Sequence, residues 1–124
     1  MSSQPHLFVY GTLQSGFKKN RYARYLAQNA DLVGPARIPG RLYALKRYPG
    51  LRPPQSDDDW VTGELYRLRT PVPTLRTLDA YEATEYRRVR RLTTLEDGRQ
   101  VRCWTYIFWQ PLPRHRRVEA GTWR

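Results

Sequence analysis

The 124-residue chain holds one cysteine, one methionine and two histidines. A lone Cys103 excludes an internal disulfide and leaves no cysteine-based metal site. It alternates into a strand pattern among aromatics, where a free cysteine is a small core residue rather than a nucleophile. His6 and His115 lie far apart in sequence with no companion at ligand spacing, which argues against a metal centre. Long apolar runs are missing as well, so no segment reaches the length needed to cross a bilayer. The opening residues MSSQPH lack the charged region and apolar run of a targeting segment. A soluble cytoplasmic protein is therefore expected. Internal repeats and low-complexity linkers are also absent, and the length predicts one domain over residues 1–124.

Acidic residues are scarce: 11 against 22 basic ones, a formal charge of +11. Such an imbalance suits a polyanionic partner. Nearly all the basic residues are arginines, however, scattered over predicted strands and loops. Compact clusters occur only at RRVRR (87–91) and RHRR (114–117). Solvated faces of an Arg-rich protein are the favoured reading, and a nucleic-acid partner is not. What the chain has in quantity is apolar and aromatic material, 40% and 13%, with 4 Trp and 9 Tyr. That is the composition of a folded protein rather than a disordered one.

HLFVY is a short run of strand formers, and Gly11 and Gly16 bracket the loop that follows. Tyr22, Tyr25, Leu26 and Asn29 then recur at helical spacing, predicting a short amphipathic helix from about Asn20 to Gln28. Between Asp31 and Leu51, the residues Gly34, Pro35, Pro39 and Gly40 argue against a long central strand and for an edge or bent one. PPQSDDDW reads as a polar surface loop. VTGELYRL returns to strand character, with Gly63 marking a bulge or a tight contact. Thr70 is placed to cap a helix that Pro71 opens, and Leu75, Leu78 and Glu82 fall on one of its faces. YRRVRRLTTL and QVRCWTYIFW read as two strands joined at Asp97-Gly98, a tight hairpin signal. Strand, helix, several strands, helix, hairpin is the order of an α+β domain.

Two features carry candidate chemistry. The junction Tyr10-Gly11-Thr12-Leu13 is either an ordinary turn or a place where free backbone N–H groups meet a carboxylate or oxyanion. It is not a phosphate loop, because Phe17 stands where the lysine of that motif belongs. Glu82 is either a helix-end partner for Arg87 or Arg88, or a desolvated acid whose pKa rises toward the range useful for proton transfer. Glu64 and Glu85 are rival carboxylates, the first in a strand whose neighbours Val61 and Leu65 point to packing, the second in the exposed turn after the helix.

The segments LFVYGTLQSG, GRLYALKRYPGL, VTGELYRL, LDAYEATEYRRV, WTYIF and AGTW, in this order and spacing, resemble the γ-glutamylcyclotransferase-like superfamily over nearly the whole chain. The resemblance implies a compact mixed β-barrel with short flanking helices, in agreement with the α+β reading. It implies a cofactor-free reaction in which the α-amine of a small γ-glutamyl compound attacks its own γ-carbonyl and releases 5-oxoproline and an amine. It places the catalytic glutamate at Glu82 and the substrate loop at Tyr10, Gly11, Thr12 and Leu13, with Tyr86, Arg88 and Tyr106 as pocket walls. Two departures stand out: Ala83 replaces the glycine usual after the glutamate, and the connection from Glu82 to Tyr86 is short. A protein that keeps the pocket only to bind a small carboxylate ligand is the alternative.

Overall fold

The computed structural model describes residues 5–45, 48–82, 84–112 and 116–123. The first strand, β1 (His6–Val9), dictates the layering. Leu7 and Val9 point to one side, Phe8 and Tyr10 to the other, and all four are buried. A strand apolar on both faces has to lie between two layers. On one side the chain packs two helices, α1 (Arg21–Asn29) and α2 (Pro71–Glu82), against the outside of a barrel. Leu26 and Leu78 meet Leu7, Val9, Tyr66 and Tyr106 there. On the other side Phe8 and Tyr10 join Ile38, Val61, Leu65 and Cys103. Each fully buried leucine contributes about 1.5–3 kcal/mol.

The barrel closes in the order β1, β5 (Trp60–Leu68), β2 (Ala30–Pro39), β6 (Tyr86–Leu95), β7 (Gln100–Phe108). Its pairings are antiparallel except that β1 meets β7 in parallel at Leu7 and Trp104, so it is a mixed barrel with two flanking helices. A second sheet of β4 (Pro49–Arg52), β3 (Arg41–Ala44) and β8 (Arg116–Val118) lies beside it, and Leu42 and Leu51 join the Phe8 cluster.

The segment expected as an edge or bent strand is a ten-residue member of the barrel. It tolerates Pro35 and Pro39 because only β5 pairs along its length, while β6 reaches it at Ala36 and Arg37 alone. A register shift between Leu32 and Gly34 supplies the bend, with Gly34 at φ +148°. The same sparse pairing leaves the β2-facing edge of β6 open over much of RRVRR. Arg87, Arg90 and Arg91 are exposed there, and charge on an open edge discourages pairing with other chains. Arg88 and Arg90 lie over the Trp104 ring at 4.3 and 4.5 Å, and Arg87 over Trp109 at 4.9 Å. The start of the other cluster, His115 with it, falls outside the described residues.

Local signals are realised in detail. Asn20 caps α1, its side-chain oxygen accepting from Tyr22 N at 2.9 Å and Ala23 N at 3.0 Å. Thr70 precedes α2, but its hydroxyl meets that of Thr74 at 3.2 Å, and its carbonyl accepts from Thr74 N. The hairpin turns with Gly98 at φ +89° and Gly98 N donating to Leu95 O at 3.0 Å. Gly63 is a tight contact and no bulge: it stays in register with Ala36, and a Cβ there would press into the Val9 carbonyl and within 2.9 Å of the Phe8 ring. PPQSDDDW ends in a surprise for a surface loop. Asp59 is 4% exposed and accepts from Arg41 Nε at 2.6 Å, Arg117 at 2.8 Å and the Gln55 and Ser56 amides. The Arg41 contact, then the Gln55 amide, hold its carboxyl well below the usual range.

Candidate active site

The chain leaves the barrel at Tyr10, whose hydroxyl is fully engaged. It donates to Tyr106 O at 2.6 Å and accepts from Leu51 N at 3.2 Å, tying β1 to β7 and β4. The loop beyond is pinned by its carbonyls and by one acid. Gln14 Nε2 donates to Tyr10 O, Gly11 O and Trp123 O at 2.9, 3.1 and 3.3 Å. Ser15 gives its N–H and its hydroxyl to the two oxygens of Glu64, each at 2.6 Å. Glu64 is thus a loop anchor rather than a packing residue. The N–H groups of Gly11, Thr12 and Leu13 donate to no acceptor among the described residues. Gly11 is also required by close approach, since a Cβ there would lie 2.8 Å from the Pro49 ring.

Glu82 comes from the last turn of α2, four residues after the buried Leu78. Among the described residues it has no ion-pair partner, and Arg88 pairs with Asp79 instead, Nε to Oδ1 at 2.9 Å and Nη2 to Oδ2 at 3.2 Å. Burial raises the Glu82 carboxyl to about 7. The helix-end pairing weighed for Glu82 is therefore not what α2 does with it.

Glu82 and residues 10 to 13 line one cavity of about 180 Å³, together with Phe8, Val9, Tyr48, Pro49, Tyr81, Glu85, Tyr86 and Tyr106. No arginine or lysine among the described residues lines it, so nothing there offsets the burial of an acid. Its size suits a small metabolite rather than a drug-sized ligand. The tyrosines are fixed: Tyr86 donates to Pro49 O at 2.7 Å, Tyr106 to Asp79 Oδ1 at 2.7 Å, and Tyr81 stacks on Tyr22 at 4.2 Å with its hydroxyl 3.2 Å from that of Thr12. Burial first, and the nearby Glu82 charge as well, push the hydroxyls of Tyr10, Tyr86 and Tyr106 upward, so they stay neutral. Among the described residues no group of three His, Cys, Asp or Glu side chains could hold a metal. No helix there is long and apolar enough to cross a membrane.

A model of the gamma-glutamyl cyclotransferase, AIG2-like family matches residues 7–124. The chain belongs to this family. Protein ytfP of Escherichia coli is 31% identical, with a TM-score of 0.64 over 95% of this chain and 95% of that one. An AIG2-like protein from Mus musculus is 25% identical, with a TM-score of 0.72 over 90% of this chain and 82% of that one. YkqA of Bacillus subtilis shares the fold at a TM-score of 0.75 and 23% identity; the match covers 97% of this chain but only 39% of YkqA. Among curated proteins none matches the sequence.

As a gamma-glutamyl cyclotransferase-like protein, the chain brings Tyr10, Gly11, Thr12, Leu13, Glu82, Tyr86 and Tyr106 to one cavity. Arg88, expected as a wall, lies outside it. Sequence reasoning did not single out Tyr48, Pro49 or Tyr81 as lining residues; Tyr48 and Pro49 stood in the family-like segment GRLYALKRYPGL, and Tyr81 directly precedes Glu82. Glu85 is exposed, as its turn position implied, yet also lines the rim. Ala83 lies outside the described residues. The short connection after it is held by Trp109, whose indole N–H donates to Thr84 O at 2.9 Å. Because the Tyr86 hydroxyl ties Pro49 to β6, Tyr86→Phe is expected to cost about 1 kcal/mol of stability, read by denaturant unfolding, since one partly buried hydrogen bond is lost.

Proposed function

We propose that the protein is a cyclotransferase that releases 5-oxoproline from a small γ-glutamyl amine or peptide, with Glu82 as base and then acid. The observation that carries this reading is the shared cavity: the desolvated carboxyl of Glu82, with no ion-pair partner among the described residues, lines the same space as Gly11, Thr12 and Leu13, whose N–H groups donate to no acceptor among them. Those N–H groups suit the glutamyl oxygens and the developing oxyanion. Holding the substrate folded makes the attack intramolecular, which removes most of its entropic cost.

In this mechanism the α-ammonium gives a proton to Glu82. The freed amine bonds to the γ-carbonyl carbon, and the tetrahedral oxyanion forms against the loop. Glu82 then protonates the leaving nitrogen as its bond to carbon breaks. The ring nitrogen loses its second proton to solvent, the released amine takes one up, and charge balances. An acid near 7 is matched to both transfers.

Incubating the protein with a panel of γ-glutamyl amines and dipeptides and measuring 5-oxoproline tests the reading. Turnover on at least one member is expected, with kcat/KM falling below an apparent pKa of about 7 as Glu82 takes up its proton. Saturable binding of glutamyl ligands with no turnover on any of them would make it a binding protein instead.

A further inference from the structure

Arg88 stands behind the cavity wall rather than in it. Tyr106 Oη donates to Asp79 Oδ1 at 2.7 Å, and Arg88 grips the same carboxylate through Nε at 2.9 Å and Nη2 at 3.2 Å. The guanidinium is itself seated against the Trp104 ring at 4.3 Å. A phenol has one proton to give, and a carboxylate paired with arginine only accepts. The Tyr106 proton is therefore directed at Asp79, and the oxygen can offer the cavity only a lone pair.

That polarity is selective. A γ-glutamyl compound carries a carboxylate and a carbonyl, which are acceptors and suit the N–H groups of residues 11 to 13. Its donors are the α-amino group and the amide N–H. Asp79 and Glu82 are three residues apart on α2 and so share a face. Tyr106 and Glu82 also line the same cavity, so a donor held by Tyr106 shares that space with the base.

We propose that Asp79 and Arg88 are positioning residues that lock the Tyr106 hydroxyl as an acceptor for the α-amino group of a γ-glutamyl ligand. This rests on the glutamyl reading of the cavity. With one N–H on Tyr106 and another proton given to Glu82, the nitrogen lone pair is left to face the γ-carbonyl.

The test is binding, measured by calorimetry, of L-glutamine and of glutaramic acid, which is the same molecule without its α-amine. The intact protein should prefer L-glutamine by about tenfold or more, the worth of a hydrogen bond to a charged group. Tyr106→Phe should reduce the preference severalfold, leaving what Glu82 contributes. Asp79→Ala should reduce it, and should have no further effect in the Tyr106→Phe background, because the two act as one unit. Arg88→Lys keeps the charge and loses the two-point grip; it should lose part of the preference with little change in melting, which guards against a folding defect in Asp79→Ala. Equal binding of the two ligands by the intact protein overturns the inference, as does a preference that Tyr106→Phe leaves undiminished. An Asp79→Ala variant that weakens both ligands equally makes Asp79 a merely structural residue and also overturns it. Intact amine preference with no turnover anywhere on the panel would sink the cyclotransferase reading and leave this one standing. Failure to bind either ligand defeats both.

Discussion

Glu82→Gln is expected to lower turnover by on the order of a thousandfold, the scale of a lost general acid–base, while making the protein more stable at neutral pH. Both effects follow from the same burial. The native carboxyl titrates at about 7, above the 4.5 of an unperturbed one. Between those values the native state holds a proton that the unfolded chain has lost, so stability falls as pH rises through this window and is level above it. The cost of the charged form at the upper end is at most about 3 kcal/mol. An amide of the same shape never carries that charge. Denaturant unfolding of both proteins at pH 5 and pH 8 measures it: the variant should gain at pH 8 and much less at pH 5. Equal stability at pH 8 would mean that Glu82 is solvated. A stable variant that keeps its activity would remove it from the mechanism.

Gly63→Ala is expected to be the most damaging single methyl in the barrel. Its Cβ would press into the Val9 carbonyl, lie 2.9 Å from the Phe8 ring and 3.1 Å from Tyr10 Cα. Two of these are backbone atoms, which cannot turn aside as a side-chain end can, so β1 and β5 have to part. Overpacking of this kind costs roughly 3 kcal/mol or more, on the order of 10 °C in melting for a chain of this size. Gly16→Ala is the control: a Cβ there meets nothing within 4 Å, and its φ is not positive. It should melt within a degree or two of the unaltered protein. Because the strain at Gly63 falls on Tyr10, the start of the proposed substrate loop, KM for a γ-glutamyl substrate should rise even where the variant remains folded.

Patterns that repeat along the chain were legible in the sequence. The apolar run before Tyr10, the face shared by Leu75, Leu78 and Glu82, and the Asp97-Gly98 hairpin each depend on spacing within one element, and each is present. The barrel itself was reached through the family-like segments. What stayed hidden depends on neighbours distant in sequence. Pro35 and Pro39 restrict a strand only where both edges are paired, and spacing does not reveal that β6 meets β2 at two residues. Asp59 looks like its neighbours Asp57 and Asp58 until Arg41 and Arg117 fold over it. Arg88 matched a family motif beside Tyr86, but its true partner, Asp79, sits nine residues back on another element. Pro49 lines the cavity with its carbonyl held by a hydroxyl 37 residues away, a partner that spacing does not reveal.

The clamp between Gln14 and Trp123 spans 109 positions. A ribosome making this chain joins the strand, the loop and Glu82 before it adds Trp123. Between the addition of Glu82 and that of Trp123 the nascent chain carries the loop and the acid without this tether, and the loop gains it only once residue 123 is in place.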